Sequence, residues 1–257
     1  MKKAYKRILS AIIGIILLLV AINKGGLYLN IGILIVSLIG VREFYLAIEK
    51  INIYPLKYIG YFATVLIFLN NFYSFINHGF ILTVALIISL IIFLFDNNSK
   101  LEDIGMTLLG IAYIPFLFSY INKLDGNIYI WLIFLISFGT DTFAYLGGKY
   151  LGKRKLWPEI SPNKTIEGAF SGVVGSVFLT SIFSFIVDGP LYIILPLAII
   201  VSIISQIGDL IASKIKRSVK LKDYGSIMPG HGGILDRFDS ILIATPIVYY
   251  YIKCFLN

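Results

Sequence analysis

Gly79-Phe-Ile-Leu-Thr-Val-Ala-Leu-Ile-Ile-Ser-Leu-Ile-Ile-Phe-Leu-Phe95 holds no charged residue and only two hydroxyls, Thr83 and Ser89. As an α-helix rising ~1.5 Å per residue it covers roughly 25 Å. That is close to the ~30 Å hydrocarbon layer of a bilayer. A segment this apolar on all sides is a membrane span or a fully enclosed core helix. The rest of the chain decides between them.

Outward from this run the same texture recurs. Of 257 residues 58% are hydrophobic and only 14% are charged, where a soluble domain carries about 25% charged residues. A soluble fold of this size has too much surface to hide that much apolar chain. Soluble globular, disordered and disulfide-scaffold classes are therefore excluded. Nine runs lie between polar breaks, near residues 8–23, 27–41, 56–76, 79–95, 104–120, 128–148, 168–187, 191–212 and 240–255. The expected fold is an all-α polytopic integral membrane protein of about nine transmembrane helices, one transmembrane domain over 1–257. Within it, 1–127 holds the N-terminal helices and 128–257 a catalytic half with motif loops at 149–167 and 213–239. The first run follows Lys2, Lys3, Lys6 and Arg7 and has no small-x-small cleavage site after it, so it reads as a retained signal anchor. The lone cysteine, Cys254, excludes an internal disulfide and a cysteine metal cluster.

Charge orients the helices. With the N-terminus in the cytoplasm, only Lys24, Lys123 and Lys253 of the 22 basic residues fall on the outer side. The other 19 face inward, as the positive-inside rule requires. The net charge of +8 is then a topology signal, and nucleic acid is not an expected partner. Both long loops are cytoplasmic on this reading.

Two carboxylates sit inside apolar runs: Asp141 in the sixth and Asp209 in the eighth. An acid in a span costs a few kcal/mol on insertion scales and usually faces a partner, a cavity or an ion. The plainer reading is an acid that snorkels to the interface. Ser202, Ser205, Asp209, Ser213 and Lys216 follow at spacings of 3, 4, 4 and 3, one face of a helix. Such a stripe can be helix–helix glue, but this one ends in an acid and a lysine. Thr140, Asp141, Ala144 and Gly148 make a comparable face whose small residues permit close packing.

The densest chemistry lies in Ser213–Asp239. Lys216, Arg217, Lys220, Lys222 and Arg237 suit anions. Gly230, Gly232 and Gly233 let backbone N–H groups approach phosphate oxygens. Asp236 and Asp239 are hard oxygen donors of the kind Mg²⁺ takes. Bland alternatives are Asp236 as a helix N-cap with Asp239 three residues on, and a basic patch for lipid headgroups. In Trp157–Gly168, Ser161 reads as an N-cap with Pro162 opening a helix, while Lys164 and the helix start face a phosphate. Gly147-Gly-Lys-Tyr-Leu-Gly-Lys-Arg154 approaches a P-loop but has Arg154 where the metal-binding hydroxyl belongs, and it leaves a membrane helix rather than a strand.

These residues resemble the phosphatidate cytidylyltransferase (CDP-diacylglycerol synthase) family. Ser213, Lys216, Arg217, Lys222, Asp223, Gly225, Pro229, Gly230, His231, Gly232, Gly233, Asp236, Arg237 and Asp239 match its signature in register, with Met228 in place of Leu, Ile or Phe. Ser161-Pro-x-Lys-Thr-x-Glu-Gly168, Asp141-Thr-x-Ala-Tyr145 and Gly208-Asp209-Leu210 are similar to further family motifs. The resemblance covers roughly 137–240.

It implies joining CTP to phosphatidate, with release of pyrophosphate and Mg²⁺ as cofactor, together with a second, monovalent cation such as K⁺ and a homodimer. In that frame Asp209 and Asp236 are the expected metal ligands, with Asp141 and Asp239 as further candidates. Lys216, Arg217, Lys222 and Arg237 hold phosphates, and Asp223 and Asp239 orient them or the metal's waters. His231 donates to a phosphate or shapes the turn. Ser161, Asn163, Lys164, Thr165, Ser213, Gly230, Gly232 and Gly233 are the expected substrate contacts. The implied location is the inner (plasma) membrane, site facing the cytoplasm. A CTP-dependent polyprenol or phytol kinase and an ion-coupled transporter are the rival readings.

Overall fold

The structure is a computed structural model describing residues 2–73, 76–227 and 232–256. Its helices are α1 (Lys2–Lys24), α2 (Gly26–Ile48), α3 (Lys57–Tyr73), α4 (His78–Phe95) and α5 (Leu101–Asn122). After them come α6 (Ile130–Tyr150), α7 (Ile166–Ile186), α8 (Leu191–Ser218) and α9 (Leu235–Phe255). The nine expected runs thus become nine helices among the described residues. Six segments are long and apolar enough to cross a bilayer: α2 with its terminal turn, α4, α5, α6, α7 and α8. The protein is a polytopic membrane protein.

Contacts divide the chain into two compact units, residues 1–126 with 218–238, and 127–217 with 239–257. In the first, Tyr45 of α2 is fully buried and donates its hydroxyl to the Thr107 carbonyl at 2.8 Å. It lies between Gly60 of α3 and Gly110 of α5, where an added Cβ would strike its ring. Polar side chains tie these helices together. Asn30 donates to the Phe68 carbonyl at 2.9 Å and accepts from Asn71 and Asn122 at 3.1 and 2.8 Å. Such bonds join spans where apolar burial offers little drive. Within α5, residues Ala112–Phe116 form a π-turn around Pro115, and the Ser119 hydroxyl donates to the Phe116 carbonyl at 2.6 Å. Proline lacks the N–H that an α-helical turn needs there. Because the Tyr45 ring has nowhere to move, Gly110→Ala should cost about 1–3 kcal/mol through overpacking. A thermal melt of detergent-solubilised protein should register that loss as a lower Tm.

In the second unit α6 and α7 form a tight hairpin built on small residues. A Cβ on Gly168 would lie 2.7 Å from the Ala144 carbonyl and 3.0 Å from Gly148 Cα. One on Gly172 would lie 3.0 Å from the Thr140 carbonyl. The Thr140–Gly148 face expected to pack closely does so, in the small-residue manner of membrane helices.

Several boundaries differ from the sequence reading. The helix expected to end at 41 continues to Ile48, because Glu43 finds partners instead of solvent. It closes through the turn Glu49–Ile51, and Asn52 follows at φ 61°. α8 runs to Ser218, with Lys216 and Arg217 in its last turn, where cations favour the helix dipole. α9 begins at Leu235 rather than 240, placing Asp236, Arg237 and Asp239 on the helix. The fold is all-α as expected, and the loop 149–167 carries one small two-stranded antiparallel hairpin, β1 (Lys155–Trp157) and β2 (Ser161–Thr165). Ser161 is therefore a strand residue and not a helix cap. Thr165 caps α7, its hydroxyl accepting from the Gly168 N–H at 3.1 Å.

Candidate active site

The polar stripe of α8 forms as its spacing indicates, and it divides into two parts. Its first residues are glue: Ser202 accepts from the Thr140 hydroxyl of α6 at 2.8 Å, and the Ser205 hydroxyl returns to the Ser202 carbonyl at 3.0 Å. Ser202 and Ser205 are both fully buried.

The later part of the stripe carries charge. Asp209 Oδ2 pairs with Lys164 Nζ at 2.6 Å, and its Oδ1 accepts from the Ser213 hydroxyl at 3.3 Å. Lys164 reaches Asp209 because β2 directs it there. Glu167, in the first turn of α7, accepts the N–H groups of Lys153 and Arg154 at 3.0 and 3.2 Å. The Ile166 N–H donates to the Arg154 carbonyl at 3.0 Å. Chain entry and exit of the hairpin are thus bound to one helix start.

One turn further along α8, Lys216 pairs with Asp239 of α9 at 3.8 Å, both side chains about nine-tenths buried. Gly208 makes this approach feasible, since a Cβ there would lie 3.0 Å from the Asp239 carbonyl. Asp239 Oδ1 accepts the Ser240 N–H at 2.8 Å, and the Ser240 hydroxyl donates to Asp141 of α6 at 3.1 Å. Asp239 lies within electrostatic range of Asp209, Lys216 and Asp141. Three helices and one strand therefore deliver three carboxylates and two ammonium groups to one neighbourhood, leaving one net negative charge.

Among the described residues no three His, Cys, Asp or Glu side chains converge tightly enough to form a ready metal cage. The donor set itself fits a hard divalent cation: its oxygens are carboxylate and hydroxyl, with no sulfur or imidazole. Lysines compensate the acids in this structure.

The first unit holds the remainder of the Ser213–Asp239 stretch. Lys222, Asp223 and Arg237 are exposed, as is Arg217 in the second unit. Asp236 is buried, and its Oδ2 accepts the N–H groups of Tyr224 at 2.8 Å and Gly233 at 2.9 Å. That oxygen joins Tyr224 to Gly233, just before α9. The Gly233 N–H is committed to Asp236, and those of Ile234 and Leu235 are committed to Glu43. These donors form no open phosphate cradle. Gly232 has φ 87°, and a Cβ there would approach Asp236 and Asp223. Gly230 and His231 lie outside the described residues. Of the expected substrate contacts on the hairpin, Lys164 forms an ion pair, Asn163 is exposed, Ser161 is half-buried and Thr165 is buried as a cap.

Sequence reasoning missed Glu43. It was legible as an acid bracketed by apolar residues, but neighbouring Arg42 made the pair look like the end of a span.

A polytopic helical membrane protein that gathers acids and lysines from three helices and one strand suits work on phosphorylated groups at a membrane. The model of the cytidylyltransferase family matches residues 5–255, and the chain belongs to that family. Phosphatidate cytidylyltransferase of Bacillus subtilis (strain 168) is 37% identical over 264 residues, covering 97% of this chain and 98% of its own length. The proteins of the same name from Staphylococcus epidermidis (strain ATCC 12228) and Staphylococcus aureus (strain COL) are 35% and 37% identical over 256 residues. Each of these alignments covers 94% of this chain and 96% of the relative.

Proposed function

We propose that this protein is a phosphatidate cytidylyltransferase of membrane phospholipid biosynthesis, converting CTP and phosphatidate to CDP-diacylglycerol and pyrophosphate. The observation that carries the reading is near-full-length similarity to enzymes of that name. The Asp209–Lys164 and Asp239–Lys216 pairs, with Asp209 and Lys216 both on α8, support it.

In the reaction a phosphate oxygen of phosphatidate attacks the α-phosphorus of CTP. A new P–O bond forms, the α–β anhydride bond breaks, and pyrophosphate leaves with the bonding pair. No serine or cysteine nucleophile is required, because the lipid supplies its own. Two polyanions must meet, so positioning and charge neutralisation dominate catalysis. Mg²⁺, when bound, supplies positive charge to the nucleotide's phosphates. We assign Asp209 and Asp239 to hold it, with Asp141 within electrostatic range of Asp239 in the same unit. Lys164 and Lys216 balance those acids before substrate arrives and exchange their carboxylate partners for phosphate oxygens as it binds. Arg217 joins them from the exposed last turn of α8. Lys222 and Arg237 of the first unit, both exposed, are the further cations that the family signature assigns to phosphates.

The side of the membrane follows from substrate chemistry and charge. CTP is a cytoplasmic solute, and 19 of 22 basic residues fall on one side of the nine-helix topology. The site therefore faces the cytoplasm of the inner membrane, where phosphatidate enters laterally from the leaflet.

Purified protein in detergent micelles, given α-labelled CTP, phosphatidate and Mg²⁺, should move label into a lipid-soluble product. Pyrophosphate should form stoichiometrically, and chelation should stop the reaction. Label remaining in CDP, with phosphorylation of an added polyprenol, would replace this reading with the kinase.

A further inference from the structure

Glu43 lies in the C-terminal third of α2, inside a candidate span, and is only 3% exposed. A carboxylate in that setting needs donors, and it finds them far along the chain. Its Oε1 accepts the Ile234 N–H at 3.1 Å, and its Oε2 accepts the Leu235 N–H at 2.8 Å. These N–H groups lie at the start of α9, where a helix has no partners of its own to offer. One side chain of α2 thus caps α9 with both oxygens.

The same carboxylate explains two glycines of the signature. A Cβ on Gly233 would lie 2.5 Å from Oε1 and 2.6 Å from Cδ, and one on Gly225 would lie 2.9 Å from Cδ. Neither glycine has a left-handed backbone, whereas Gly232 does. Space for Glu43, and not conformational freedom, requires glycine at 225 and 233. Asp236 completes the device by joining Tyr224 to Gly233. Both stems of the loop 225–233 are therefore held: one packs on Glu43, the other packs on and is capped by it.

We infer that Glu43 is a positioning residue for cytidylyl transfer, setting the loop that follows Lys222 and Asp223 and leads into Asp236 and Arg237. It touches no reacting group and acts through the loop stems. The inference rests on the cytidylyltransferase reading above.

The test uses full-length protein in detergent: Glu43→Gln, Glu43→Asp, Gly233→Ala and the double variant Glu43→Asp/Gly233→Ala. Monodispersity, Tm, and kcat and KM for both substrates are measured for each. Glutamine keeps the shape but turns an amide N–H toward a backbone N–H. Misplacement of about 1 Å in a catalytic array costs on the order of 100-fold. Glu43→Gln should therefore lose about 100-fold in kcat while KM for CTP changes about threefold or less, and Gly233→Ala should lose a similar factor. The shorter aspartate withdraws from the added Cβ, so the double variant should be about tenfold more active than the product of the single effects. A lower Tm with unchanged kcat would make Glu43 a structural cap alone and overturn the inference, as would strictly multiplicative effects. If Glu43→Gln is not monodisperse, the other three variants decide by the same coupling criterion. Wild-type protein that makes no CDP-diacylglycerol in this assay would defeat the activity reading instead.

Discussion

Asp209→Asn should reduce cytidylyl transfer by about a thousandfold or more while leaving a folded protein. The chemistry is the larger effect, since interactions made to developing charge contribute on the order of 10²–10³ each and metal ligation contributes beyond that. Stability should change little. The Asp209 side chain is 27% exposed, its partner Lys164 is similarly exposed, and ion pairs of that kind contribute about 0–1 kcal/mol. Asparagine also retains an oxygen to accept from Ser213. Lys164→Gln separates the roles: it removes the same ion pair from the other side but spares the proposed ligand. It should raise KM for CTP about tenfold and leave kcat nearer wild type. Purified variants assayed with labelled CTP at several Mg²⁺ concentrations decide the matter. Near-normal turnover by Asp209→Asn would remove it from the metal site, and an equal loss in both variants would show that the pair acts only as a structural bridge.

What could be read from sequence was periodic, and what could not was long-range. The 3, 4, 4, 3 spacing on α8 was visible because a helix repeats every 3.6 residues, and all five of its members have polar partners within the second unit. Which partner each would take was not visible: Lys164 meets Asp209 only because a hairpin of three- and five-residue strands turns it there. The strand pattern is too short and irregular to stand out, and Pro162 suggested a helix start. Charge misled at the C-terminal ends of two helices. Arg42-Glu43 read as the end of a span and Ser213–Arg217 as a loop, yet each is helical because its charges are capped, paired or favourable to a helix terminus. Glu43 is the clearest case. Its donors lie 191 and 192 residues away, so nothing local signals that the acid is satisfied.

The buried Lys216–Asp239 pair supports the second large effect, in which stability and activity should part company. With both side chains about nine-tenths buried, breaking the pair by removing one charge should cost about 3–5 kcal/mol. Lys216→Met should therefore lower Tm sharply and also abolish transfer. Asp239→Asn, which retains an oxygen for the Ser240 N–H, should abolish transfer and remove the carboxylate charge that faces Lys216. Replacing both charges removes the electrostatic penalty, and buried pairs exchanged for neutral groups are often no less stable than the original. Lys216→Met/Asp239→Asn should thus regain most of the lost Tm. It should regain no turnover, because the phosphate-binding cation and the proposed metal oxygen are then both missing. Thermal melts and the labelled-CTP assay on the same preparations make the comparison. Recovery of activity together with stability would mean that the pair serves only to join α8 to α9. Loss of stability that the double variant fails to repair would mean that each residue is held by other partners, and the pair would cease to explain why a lysine and an acid are buried side by side in this unit.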